Sequence, residues 1–83
     1  MTRAEALDDL TLMLAYLTSW TEKVGPGSVR IAWKGYAFDV LDDLAEQGLI
    51  SQSKRSKSMY ISEEGEERAL ELMKKYGISI DDE

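Results

Sequence analysis

Lys54, Arg55 and Lys57 fall within four residues, flanked and separated by Ser53, Ser56 and Ser58. Cationic side chains interleaved with small hydroxyls can contact a phosphate backbone, the cations through charge-assisted bonds and the serines as neutral donors. The same residues at a hairpin tip also discourage edge-to-edge strand pairing, and the two readings stand level. Arg30 and Lys34 extend the patch if the segment that carries them lies beside the hairpin. The candidate nucleic-acid contacts are therefore Lys54, Arg55, Lys57, Arg30 and Lys34.

Other chemistry is poorly represented. The chain has no histidine and no cysteine. Nucleophilic arrangements built on imidazole or thiolate, and zinc sites of the usual composition, are excluded. Carboxylates occur in pairs (Asp8-Asp9, Asp42-Asp43, Glu63-Glu64), but adjacent residues on exposed helix faces do not confront each other across a cleft as acid–base catalysis requires. No loop offers spaced oxygen ligands for magnesium or calcium, and Gly25-Pro26-Gly27 lacks the spacing of a phosphate loop. The expectation is a binding module without catalytic residues, metal or cofactor.

Eighty-three residues with a net charge of −6 form one domain, assigned to residues 1–80 with Asp81-Asp82-Glu83 as an acidic tail. A domain of this size buries about 60% of the surface its unfolded chain exposes, so it tolerates few misplaced core residues. Charge is uneven. Residues 1–27 hold two bases and four acids, residues 28–60 five and four, and residues 61–83 three and eight. The acid gathers at the C-terminal end and the middle is slightly basic, so general attraction to a polyanion is not expected. No secretory signal and no apolar run long enough for a membrane span is present, and the lack of cysteine fits a reducing cytoplasm.

Thr2 and Glu5 form a capping box that opens a long first helix, expected to run to about Lys23 and to stop at Gly25-Pro26. Leu7, Leu10, Leu12, Met13, Leu14, Tyr16, Leu17 and Trp20 give it an apolar face of about 220°, far wider than the stripe of an ordinary surface helix. Ala4, Asp8, Thr11, Ala15, Thr18 and Ser19 are expected on the opposite side. So wide a face serves either the core alone or the core and a second chain, and Leu12, Tyr16 and Trp20 are the candidate dimer contacts.

After a loop, Val29–Trp33 reads as a short strand. A second helix over about Tyr36–Gln47 turns Leu41, Leu44 and Ala45 inward and an acidic stripe of Asp39, Asp42, Asp43 and Glu46 outward. Gly48 stops it. Leu49–Ser53 and Ser56–Ser62 read as a hairpin, with Met59 and Ile61 on one face and Tyr60 on the other. Ser62 caps a third helix whose inner face holds Ala69, Leu70, Leu72, Met73 and Tyr76, closed by Gly77, with Ile78 and Ile80 folding back onto the core. Trp33 and Tyr36 are expected to close the core, with base stacking as their second use.

The order of helix, extended segment, helix ending in Gly48-Leu49-Ile50, basic hairpin and Ile61-Ser62-Glu63-Glu64-Gly65 opening a helix resembles the winged helix-turn-helix superfamily. Over residues 29–76 the resemblance implies a small α+β domain with a β-hairpin wing, of the kind found in DNA-associated transcriptional regulators. Ala32-Trp33-Lys34, Tyr36-Ala37-Phe38-Asp39 and Lys57-Ser58 further resemble a family of small bacterial proteins of unknown function. Two departures stand out. The roughly thirteen residues between the first two helices leave room for one helical turn at most, so the turn of the helix-turn-helix is either degenerate or absent. The acidic stripe on the would-be recognition helix would be repelled by phosphates flanking a groove. The expected function is DNA-associated binding through the basic wing, as a dimer; the alternative is a protein-interaction module that keeps the shape and binds no nucleic acid.

Overall fold

Helix α1 (Arg3–Leu17) begins as expected: the Glu5 amide donates to the Thr2 hydroxyl and the Thr2 amide to the Glu5 carboxylate, each at 3.1 Å. The Thr2 amide, and after it the Thr2 hydroxyl, hold the Glu5 carboxyl below its ordinary pKa. The computed structural model describes residues 1–80, so the acidic tail expected at 81–83 lies outside the described residues.

The helix ends well before Lys23. Thr18 and Ser19 turn their hydroxyls back onto the carbonyls of Leu14, Ala15 and Tyr16, satisfying the last turn. Trp20-Thr21-Glu22-Lys23-Val24 then forms strand β1 and pairs antiparallel with β2 (Gly27–Trp33), from Trp20 opposite Ile31 to Val24 opposite Gly27. Gly25-Pro26 is therefore not a helix stop but a two-residue hairpin turn. Gly25 has φ +58°, the positive value a type II′ turn needs at its first central position.

The other elements lie close to their expected places. Helix α2 (Phe38–Glu46), strands β3 (Ile50–Gln52) and β4 (Ser58–Ile61) and helix α3 (Glu63–Lys75) follow, and the sheet is antiparallel in the order β1-β2-β4-β3. The result is a mixed α+β domain of three helices and a four-stranded sheet. Between α1 and α2 lies a β-hairpin and not a helix, so the helix pair of a helix-turn-helix is missing.

Register separates the two faces of the sheet. Arg30 lies opposite Ile61, Ala32 opposite Met59, and Ile50 opposite Ile61. Ala32, Met59, Ile61 and Ile50 pack against Leu12, Leu41, Leu44 and Leu72 from the three helices to form the core. The alternate residues Trp20, Ile31, Trp33 and Tyr60 point the other way, where no helix covers them.

At the base of the β3–β4 hairpin, Ser62 donates its amide to the Leu49 carbonyl and its hydroxyl to the Gly48 carbonyl, while that hydroxyl also accepts from the Gly65 amide. A Cβ on Gly65 would stand 2.0 Å from the Leu49 carbonyl oxygen. The Gly-Leu-Ile and Ser-x-x-Gly segments thus interlock: only glycine lets the first turn of α3 settle on the chain leaving α2.

Helix α1 is rotated from the expected orientation. Leu12 and Met13 are buried as expected, but so is Ala15, whereas Leu7, Leu10, Leu14 and Leu17 are exposed. The helix lies between α2 and α3, where Asp8 accepts from Gln47 of α2 and Asp9 faces Arg68 of α3 at 4.0 Å. Leu70, Tyr76, Ile78 and Ile80 were expected inward and are also at the surface. Among the described residues no helix is long and apolar enough to cross a membrane.

Candidate functional site

The wing turn between β3 and β4 organises itself with its serines. The Ser56 amide donates to the Ser53 carbonyl, the Arg55 amide to the Ser53 hydroxyl and the Ser58 amide to the Ser56 hydroxyl. Lys34, just past the end of β2, reaches across: its ammonium donates to the carbonyls of Ser53 and Ser56, while its own amide donates to the Lys57 carbonyl at 2.9 Å. Lys34 thus sits at the hairpin, as its candidacy required, but two of its three ammonium donors are committed to the turn.

Lys54, Arg55 and Lys57 are exposed around that turn and make no ion pair among the described residues. Beside them the structure exposes two aromatic rings. Trp33 is 61% exposed and Phe38, on the first turn of α2, is 79% exposed. Trp33, Phe38, Lys34, Lys54, Ser56 and Lys57 line an open concavity of about 470 Å³. On the far side of Phe38 a second concavity of about 400 Å³ is bounded by Asp42 and by Gln52, whose amide donates to Asp42 at 3.0 Å. The first concavity has only cationic and neutral walls; an acid enters the second.

Trp33 therefore does not close the core as expected. It packs against Trp20 with ring centroids 5.0 Å apart, tilted by 47°, on the open face of the sheet. Tyr36, in contrast, does pack against the core. The apolar character of Trp33 and Phe38 hid their position: no local signal separates an aromatic that fills a core from one that edges a surface, and only the sheet register places Trp33 on the outer face.

Arg30 leaves the patch. It stands four residues before Lys34 on an extended strand, a separation of about 13 Å. Its guanidinium lies 4.7 Å over the Tyr16 ring, donates to the Ser19 hydroxyl at 2.9 Å and approaches Glu66 at 3.7 Å, joining α1, β2 and α3. The Tyr16 hydroxyl also reaches Glu66, at 3.5 Å. Arg30 is a clasp within the fold.

The three candidate dimer contacts do not form one surface. Leu12 is 1% exposed, sealed in the core of its own chain, where no partner reaches it. Tyr16 is half-buried under Arg30. Trp20 lies on β1, not on α1, with its indole N–H donating to Glu22 at 3.2 Å.

The acidic side of the molecule is opposed in character. Asp39, Asp42, Asp43 and Glu46 are all exposed along α2. Burial, followed by the nearby Asp43 carboxylate, raises the Asp8 carboxyl above its ordinary pKa, with the Gln47 amide acting in the other direction. Among the described residues no cluster of acidic side chains could hold a metal ion.

The architecture defines a small mixed α+β domain, one of whose surfaces joins exposed aromatic rings to a basic hairpin. The chain belongs to the family described as Domain of unknown function (DUF6429), which matches residues 3–79. It is similar to the protein called "Uncharacterized protein y4hR" of Sinorhizobium fredii (strain NBRC 101917 / NGR234), with 36% identity over 72 residues, 86% of this chain and 88% of that relative. No solved structure matches the chain.

Proposed function

We propose that this domain is a winged-helix-type binding module of the bacterial cytoplasm that associates with nucleic acid through its wing, in the manner of a DNA-associated regulator. The observation that carries the reading is the convergence of Lys54 and Lys57 with exposed Trp33 and Phe38 around one concavity free of acids, with Arg55 exposed on the same turn and none of the three cations ion-paired among the described residues. The cations would engage phosphates while the two rings offer faces for stacking. Helix α2 is not the reading element, because four acids along its outer face would oppose the phosphates of a groove. The lack of histidine and cysteine favours a binding role over catalysis.

The test is a fluorescence anisotropy titration with labelled random-sequence duplex and with labelled single strand, each at low and at moderate salt. The expected result is binding at low salt that weakens with salt and is abolished in the triple variant K54S/R55S/K57S. No binding of either probe at low salt by the folded protein would sink the proposal. The case would then pass to a second reading, a protein-interaction module that meets a basic partner through Asp39, Asp42, Asp43 and Glu46, the stripe exposed along α2.

A further inference from the structure

Leu7, Leu10, Leu14 and Leu17 are each 44–61% exposed, although they belong to the helix at the centre of the domain. Their spacing of three, four and three residues is that of alternating a and d positions in a heptad repeat. At 100° per residue they form one stripe directly opposite Leu12, so α1 has two apolar faces, one buried and one bare.

The residues beside the stripe are as telling as the stripe. The flanking e and g positions are Ala4, Thr11, Thr18, Ala6 and Met13, none of them charged. The acids Asp8 and Asp9 are turned away, toward Gln47 and Arg68. A chain of net charge −6 repels its own copies through most of its surface, yet this strip places no like charge against itself. Leu17 and Ile80 meet at a small cavity whose other walls, Tyr16, Ser19 and Arg30, carry polar groups, and exposed Ile80 and Ile78 line the next one with Leu70. An apolar strip of this extent on a soluble protein marks an interaction surface.

We infer that this strip is the interface with a second copy of the same chain, formed by antiparallel packing of two α1 helices about a two-fold axis between Leu10 and Leu14. Leu7 then meets Leu17 of the partner subunit and Leu10 meets Leu14 of the partner subunit, the a-to-d pairing of antiparallel helices. The orientation has its own support in the helix ends. The last turn of α1 contains no basic residue. Arg3 continues the heptad register beyond Leu7 and, in the antiparallel arrangement, reaches the C-terminal carbonyls of the partner helix, supplying the missing cation. Parallel packing would align the two dipoles and bring no cation to that end. The inference does not depend on nucleic-acid binding.

Sedimentation velocity over a wide range of protein concentration tests it. The expected result is a monomer–dimer equilibrium in the micromolar range, weakened at least tenfold in L10E and in L14E. Both sites are exposed, and circular dichroism and thermal melting check that the variants remain folded. A wild-type chain that stays monomeric at the highest concentration overturns the inference. So does a dimer that survives both variants but is lost in W33S or Y60S, which would place the interface on the open face of the sheet. Because the chain has no cysteine, orientation is read by oxidising mixtures of L7C and L17C. The mixed disulfide should form in preference to either self-pair, and preferential self-pairing overturns the antiparallel geometry.

Discussion

The two faces of the sheet are built from alternate residues of the same strands and have opposite fates. The inner face presents Ala32, Met59, Ile61 and Ile50 to three helices and is sealed. The outer face presents Trp20, Ile31, Trp33 and Tyr60 and has no covering layer, yet its residues are larger. Ile31 is buried beneath its aromatic neighbours without belonging to the core. Ala32 takes little room and Met59, Ile61 and Ile50 fill the rest of the space under the helices. The outer face keeps its rings half in water: Trp33 is 61% and Tyr60 is 50% exposed. The packed core lies on one side of the sheet, and the other side leaves its aromatic rings open to solvent.

Substitutions can break or sharpen that contrast. Gly65→Ala, at the base of the inner side, should have the largest effect. Its new methyl meets a backbone oxygen and no flexible side chain, so the cost should exceed ordinary overpacking, at about 4 kcal/mol by urea denaturation. Met59→Ala, on the inner face proper, should cost about 3 kcal/mol through lost burial and the cavity left behind. Trp33→Ala, on the same strand pair but the outer face, should cost only about 1 kcal/mol, mostly its ring contact with Trp20, while weakening the nucleic-acid binding proposed above. If Trp33→Ala destabilises as much as Met59→Ala, the outer face is a second core and the contrast fails.

The smallest effect should come from Asp8→Asn, away from the sheet, which tests the background of acidic repulsion. The raised pKa of Asp8 means that its ionised form is disfavoured by folding. That cost is present at neutral pH and is relieved as pH falls through the folded-state pKa, which lies above the ordinary value of about 3.9. Asp8→Asn should therefore stabilise the protein by about 0.5 kcal/mol at pH 7, since solvent screens so exposed a site. The gain should vanish as pH falls into the carboxylate range, and thermal melts across pH check this.

Much of the fold could be read locally. Thr2 with Glu5, Ser62 before two glutamates, and Gly48 and Gly77 after apolar helical runs mark helix ends through bonds made within one turn. The wing and the alternation of Met59, Tyr60 and Ile61 are likewise local. What escaped was set at long range. Trp20–Val24 became a strand because β2 was there to pair with it, while the apolar run preceding it carries no breaker before Gly25. The orientation of α1 was decided by α2 and α3, which closed on Ala15 and left four leucines outside, and the helical wheel alone cannot choose between two apolar faces. For the candidate site, Lys54, Arg55 and Lys57 could be assigned to the exposed tip from their turn context. Arg30 was lost to Glu66, Ser19 and Tyr16, all distant in sequence. The same non-local information would have placed Trp33 and Phe38 beside the wing.

The anchoring of the hairpin at its two ends has a dynamic consequence. Its root is fixed by Ser62 and by the seat of Gly65 on Leu49, which join it to both flanking helices. Its tip is tied to the rest of the chain through Lys34, whose ammonium donates to Ser53 and Ser56 and whose amide donates to Lys57. Amide hydrogens near Ile61 should therefore exchange with solvent only when the whole domain opens, while those around Arg55 exchange through local excursions that leave the root intact. The hairpin is a stiff lever with a yielding end, and a bound partner should announce itself first as slowed exchange at that end.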